Sequence, residues 1–515
     1  MREFKRGKNA GIALCAALLI LPSLRCVAGN PDEVTILDGR HYSSVFGETR
    51  NYRIFLPPGY FEHPEKRYPV IYFFHGWSQR YFGSSNPYGD FDKGDDNGGD
   101  NIANFVGSHD VIVVKPDGYN RSPDEPYYVR PYNVSPVETY RQFPLYFPEL
   151  VATIDAQFRT IADREHRGIS GLSMGGFMTW WIGGKYPDML CAAGNFCGSA
   201  EFTVGPKDFP VEYRHLDMYD NYGGMNVRLH YGDEDFIRGY HDDLNRVWPQ
   251  VMNNYDFKMF HAAHSTCGMG EMFSFILGTF AHPPARPARW AHTDVYPEFS
   301  VWDYHLTTDR TVPGFTKIEK VDARGFRCSA REFLPDGELL PFVKIVVQTA
   351  PLYAKNQDYI INDLDVVTSQ TSKKVIRSDP EGRLTISLDG GLHEVGINLA
   401  RDKANLSLVS ADLHDARWAS SGKEVSFTVR VVNKGNSPAL NVRATLEATR
   451  PNAVVTQGSV SFGDIGVNEV RDGNSPLAFR VTADSIEIEK LALTLRADGK
   501  NEWQQYIVLP LRREA

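Results

Sequence analysis

Cysteine is scarce in this chain, with 6 among 515 residues. Cys15 and Cys26 fall in an N-terminal stretch that reads as a leader, which leaves only Cys191, Cys197, Cys267 and Cys328 for the mature protein. So few cysteines exclude a fold stapled by a disulfide framework, although an oxidising compartment would still permit Cys197 and Cys267 to pair. Excess positive charge is also lacking. Lys and Arg total 55 against 64 Asp and Glu, for a net charge of −9. Loss of the leader removes Arg2, Lys5, Arg6, Lys8 and Arg25 with Glu3, taking the mature chain to about −13 and excluding nucleic acid as a partner. Beyond the leader there is no apolar run approaching the roughly 20 residues that a membrane span needs. Hydrophobic residues make up 42% and charged ones 23%, with 30 Phe and 25 Tyr, so neither disorder nor a coiled coil fits.

What is present divides the chain into parts. "MREFKRGKNAGIALCAALLILPSLRCVAGN" has a basic start, an apolar run from Ala10 to Leu21 and small residues at Cys26 and Ala28. Residues 1–28 therefore read as a signal peptide cut after Ala28, and the chain is expected to be secreted or periplasmic. Arg25 stands where a lipoprotein anchor on Cys26 would want a small residue. From Val34 to Phe280 short apolar runs alternate with helical patterns, as in an α/β fold. "RYPVIYFF" and "HDVIVVKP" have strand length and suit a sheet covered on both faces. "YFPELVATIDAQFRTIA" spaces Leu150, Ile154, Phe158 and Ile161 at helical intervals, and "GEMFSFILGTF" reads as a closing helix. The proline-rich, basic "HPPARPARW" (His282 to Trp290) marks a linker. After it come alternating runs around Gly-containing turns, predicting β-sandwiches over 291–400 and, immunoglobulin-like, over 401–515.

The chemistry gathers around "RGISGLSMGGFMTWW". Gly171-Leu172-Ser173-Met174-Gly175 fits G-x-S-x-G, a serine held at a sharp turn between strand and helix. A Cβ at either glycine would clash where the chain before the serine passes the chain after it. A serine hydroxyl needs a base to take its proton, and the tetrahedral intermediate needs donors for its oxyanion. The N–H of Met174 is one such donor. The second is expected from "YFFHGW", with Trp77 preferred and Gly76 the alternative, while His75 shapes that loop. In this order of elements an acid follows a later strand and a histidine the next. "VRLHYGDEDF" offers Asp233, Glu234 and Asp235, of which Asp235 is preferred. "HAAHSTCG" offers His261 and His264, of which His264 is preferred. This chemistry needs no cofactor and no metal.

"RIFLPPGY", "YPVIYFFHGW", "IVVKPDG", "RGISGLSMGG" and "YGDEDF" together resemble the secreted α/β-hydrolase esterases grouped with feruloyl and acetyl-xylan esterases. Wider kin of that group include S-formylglutathione hydrolases (esterase D-like), enterochelin esterases and mycolyltransferases. The resemblance covers about Val34 to Phe280 and implies an α/β-hydrolase catalytic domain over 29–285. It implies Ser173 as nucleophile, Met174 and Trp77 as oxyanion donors, Asp235 as acid and His264 as base. The sequence departs from the family at "AAHSTCGMG", where the family carries Gly-Gly or Gly-Ala before its histidine and an aromatic soon after.

The activity expected is carboxylic-ester hydrolysis through an acyl-enzyme, on a small-molecule or polysaccharide ester such as a feruloyl or acetyl ester. An acyltransferase with the same triad, and a silent hydrolase domain in a surface-binding protein, are the alternatives. Tyr119, Tyr127 and Tyr128 lie in a long aromatic loop after a strand and are candidates to wall the substrate cleft. "GDFDKGDDNGGDN" crowds Asp90, Asp92, Asp95, Asp96 and Asp100 without the EF-hand spacing, so it is read as a solvated polar loop.

Overall fold

The computed structural model describes residues 32–77, 79–84, 100–119, 132, 142–414, 420–483, 487–498 and 501–511. The leader, the core of the acidic Gly89–Asn101 segment, and Tyr127 and Tyr128 lie outside the described residues. An eight-stranded sheet organises the N-terminal domain. Its strands are β1 (Thr35–Ser43), β2 (Glu48–Leu56), β3 (Val70–Phe74), β4 (Ile112–Pro116), β5 (Arg167–Leu172), β6 (Ala192–Phe196), β7 (Asn226–Gly232) and β8 (Tyr255–Phe260). They lie in the order β1-β2-β4-β3-β5-β6-β7-β8. β2 pairs antiparallel with β1 and with β4, and every pairing from β4 to β8 is parallel. This is the mixed sheet of an α/β-hydrolase.

Helices cover both faces, which is why β3, β4, β5 and β6 are buried along their whole length. They are α1 (Asp100–Val106), α2 (Phe143–Gln157), α3 (Met174–Lys185), α4 (Arg238–Val251) and α5 (Met269–Ala281). Successive residues of β5 point to opposite layers: Gly168 faces Ile276 and Phe280 of α5, and Ile169 faces Gly183 of α3. α2 departs from the periodicity of its sequence. It ends at Gln157, and Phe158 is an extended cap whose N–H bonds the Ile154 carbonyl. Beyond it Thr160 forms a parallel bridge with Tyr68. Phe158 and Ile161 thus lie outside the helix, because pairing with the chain ahead of β3 outcompetes another helical turn.

No helix follows residue 282 among the described residues. Residues 290–398 form antiparallel sheets of six and four strands, and residues 406–510 form antiparallel sheets of five and four. Side chains from both sheets of the first pair meet in one cluster, for example Ile318 and Phe326 with Leu306 and Val347. In the second pair Val425, Phe427, Val429 and Val431 point inward, as their alternation in the sequence dictates.

These β regions are packed on the hydrolase and on each other. Lys185, at the end of α3, makes a buried ion pair of 2.5 Å with Asp294, and Trp181 stacks on Tyr296. Arg450 donates to the Met252 carbonyl and Lys490 to that of Val251, at the end of α4. Between the two β regions, buried Glu394 accepts from Arg327, Lys434 and Ser407. The helix that begins at Ser173 is therefore braced at its far end by the region that follows the linker.

Candidate active site

Ser173 joins β5 to α3 with φ 58° and ψ −116°, a conformation that L-residues rarely adopt and that costs on the order of 1–3 kcal/mol. The neighbouring glycines make it attainable. A Cβ on Gly171 would stand 2.4 Å from the Gly175 carbonyl oxygen, and one on Gly175 would stand 2.0 Å from that of Phe74. The Ser173 N–H is held by the Phe196 carbonyl at 2.9 Å. Met174 opens α3, so its N–H is one of the donors that a helix start leaves without an internal partner.

The loop after β3 closes over this turn, with the Cβ position of Gly76 3.5 Å from the Cβ of Ser173. His75 is fully buried and shapes it. The Gly118 N–H donates to His75 Nε2 at 2.8 Å, so the proton sits on Nδ1, which donates to the Gly76 carbonyl at 2.8 Å. Burial pushes this imidazole below its ordinary pKa and outweighs Asp117, in keeping with a neutral ring. The Gly76 N–H is taken by the Gln79 side chain at 2.7 Å. The Trp77 N–H has no partner among the described residues, and its indole is half exposed at 50%.

The loops after β7 and β8 are locked together. A Cβ on Gly232 would stand 1.9 Å from the Ala262 carbonyl oxygen, and the Glu234 N–H bonds that same carbonyl. Two histidine–aspartate pairs result. His261 Nδ1 lies 3.0 Å from Asp233, with the imidazole 85% exposed. His264 Nδ1 lies 2.9 Å from Asp235 Oδ1, with the imidazole 19% exposed and the carboxylate buried. Asp235 Oδ1 also accepts the Ile237 N–H at 3.0 Å, and Oδ2 lies 3.4 Å from buried His241. Burial opposes its ionisation, but His241, His264 and the Ile237 N–H hold the carboxyl far below the usual range. Burial lowers His264, and Asp235 and Cys197 more than compensate, raising it to about 9.

His264 Nε2 is buried without a hydrogen-bond partner, so no bond from Ser173 Oγ reaches it in this state. Such contacts commonly tighten only when substrate arrives. Tyr119 is 5% exposed, stacked on His75 and covered by Arg80; it supports the loop and is not a cleft wall in this state. Cys197 and Cys267 are free, buried thiols and are not joined as a disulfide. Sequence reasoning overlooked Phe236. It is 79% exposed, and its ring centroid lies 4.5 Å from that of His264. The only signal was its place directly after the preferred acid in "GDEDF".

Residues 43–254 match the Esterase family model. Two esterases from two strains of Mycobacterium tuberculosis are each 28% identical over 185 residues, covering 34% of this chain and 35% of theirs. The matched segment thus spans about a third of the length of these curated relatives. Among solved structures, a ferulic acid esterase is 21% identical with a TM-score of 0.39, over 48% of this chain and 98% of that one. An S-formylglutathione hydrolase from Staphylococcus aureus is 14% identical with a TM-score of 0.38, over the same shares. A ferulic acid esterase from Anaeromyces mucronatus is 24% identical with a TM-score of 0.35, over 48% and 91%. The family match places the similarity to esterases in the N-terminal domain.

Proposed function

We propose that this chain is a secreted serine carboxylic-ester hydrolase in which Ser173, His264 and Asp235 act as a triad. Residues 1–28 are read as its signal peptide, 29–285 as the catalytic domain, 291–400 as a β-sandwich and 401–515 as an immunoglobulin-like one. The observation that carries the reading is the Asp235–His264 hydrogen bond of 2.9 Å on the loops after β7 and β8, at the same end of the parallel strands as the strained Ser173 turn. His264 Nε2 takes the Ser173 proton as Oγ attacks the ester carbonyl carbon. The resulting oxyanion receives the N–H groups of Met174 and Trp77. Collapse breaks the bond to the alcohol, which leaves with the proton from Nε2, and Ser173 keeps the acyl group. Water, deprotonated by His264, then attacks the acyl-enzyme and releases the acid.

The favoured substrates are feruloyl or acetyl esters of polysaccharides. Trp77 on the oxyanion side and Phe236 on the histidine side present bare rings to solvent at the site, a surface suited to aromatic or sugar groups. Such ring contacts are worth about 0.5–1.5 kcal/mol each. Ser173→Ala tests the proposal. It should abolish hydrolysis of p-nitrophenyl acetate while circular dichroism stays that of the parent, and undiminished turnover would remove the serine from the mechanism.

A further inference from the structure

A thiol sits against the proposed triad where ester hydrolysis has no use for it. Sγ of Cys197, a carboxylate oxygen of Asp235 and a ring nitrogen of His264 all lie within 4.8 Å of one another. Cys197 ends β6 with φ 48°, and its placement is fixed from both sides. Its N–H donates to the His230 carbonyl at 2.9 Å, and its Sγ–H to the Ser265 carbonyl at 3.4 Å. Cys267, three residues after His264, supplies a second buried free thiol. Cys267 also lines an open groove of about 420 Å³ with Asn101, Asn104, Thr266 and Met269.

We propose that Cys197, His264 and Asp235 form a site for a soft divalent cation such as Zn²⁺ or Cd²⁺, and that occupancy switches the esterase off. Thiolate sulfur, imidazole nitrogen and carboxylate oxygen are the donors such ions select. Zn–S bonds of about 2.3 Å and Zn–N bonds of about 2.0 Å set tetrahedral ligand atoms roughly 3.5 Å apart, so ligand atoms now within 4.8 Å of one another need draw in by only about 1 Å. The cation displaces the thiol proton of Cys197 and, where His264 is an imidazolium, one ring proton to solvent as the S–metal and N–metal bonds form. A coordinated His264 has no free lone pair for the Ser173 proton. The inhibitory half rests on His264 being the base; the binding half does not.

The test titrates Cd²⁺ into wild type and Ser173→Ala, following the ultraviolet thiolate-to-Cd²⁺ charge-transfer band, and in parallel Zn²⁺ into a p-nitrophenyl acetate assay. The band should saturate in both proteins and disappear in Cys197→Ala and in the near-isosteric Cys197→Ser, one of which serves if the other fails to fold. Zn²⁺ should silence wild type reversibly with a chelator, and the Cys197 variants should need roughly 100-fold more. No band in wild type, or a band that survives both substitutions, overturns the site. A Cys197-dependent band with hydrolysis undiminished keeps the cation site and overturns the inhibition, removing His264 as base.

Discussion

Asp235→Asn isolates what the buried carboxylate does for His264. Asn keeps the volume of the side chain, and its carbonyl oxygen can still accept the Ile237 N–H that Oδ1 now holds. It removes the charge that, with Cys197, raises His264 from the ordinary 6.5 to about 9 against burial. That rise is worth about 3 kcal/mol of imidazolium stabilisation, at about 1.4 kcal/mol per unit. The imidazolium forms as Ser173 attacks, so kcat should fall on the order of 100-fold. The pH profile should move as well. A base works unprotonated, so wild-type kcat/KM should rise with pH to a plateau above about 9. In the variant the carboxylate is gone while burial and Cys197 remain, and the limb should move to lower pH than in wild type. The assay is p-nitrophenyl acetate hydrolysis from pH 5 to 10, corrected for the spontaneous reaction, with Asp233→Asn as control because its partner His261 is exposed. An Asp235→Asn enzyme within about threefold of wild type, with its limb unmoved, would refute the reasoning.

Further predictions concern single positions. Phe236→Ala should raise KM for feruloylated or glycosyl esters about three- to tenfold with little change for p-nitrophenyl acetate; equal effects on both would deny the ring a substrate contact. Gly175→Ala places a Cβ 2.0 Å from the Phe74 carbonyl oxygen, so the elbow must shift and activity should be lost; a fully active variant in an ester assay would mean the turn is looser than described. Glu489 is buried with neither carboxylate oxygen hydrogen-bonded, and burial, opposed by Arg450, raises its pKa to about 7. The folded state holds that proton where the unfolded chain has released it. Stability is therefore lost as pH rises from about 4.5 to about 7, by up to roughly 3 kcal/mol. Glu489→Gln should raise the melting temperature at pH 8 and not at pH 4, as thermal denaturation would reveal; a uniform change would refute the linkage.

The sheet was legible because its central strands are short apolar runs and local pattern decides them. Phe158 and Ile161 misled because period alone does not register the bridge from Thr160 to Tyr68, a partner far away in sequence. The Ser173 turn carries its own evidence in Gly171 and Gly175, whose missing side chains are demanded by contacts within a few residues and with the neighbouring strand. The loops after β7 and β8 do not. Their sequence offers two aspartates and two histidines, and what separates the pairs is burial, which depends on how Gly232 fits against Ala262. That Cys197 lies near the histidine loop was legible, because Cys197 follows one strand and Cys267 follows the candidate base; the bond between the two cysteines that this position permits does not form. The packing of the β regions rests on partners far apart in sequence, such as Lys185 with Asp294 and Trp181 with Tyr296, which no local periodicity announces.

Peptide mapping of a trapped adduct tests the central claim most directly. Wild-type protein treated with a fluorophosphonate should gain one adduct, carried by the peptide that contains Ser173, and His264→Ala should label far more slowly at the same residue. A label on another residue, or labelling of Ser173 at an undiminished rate without His264, would contradict the account.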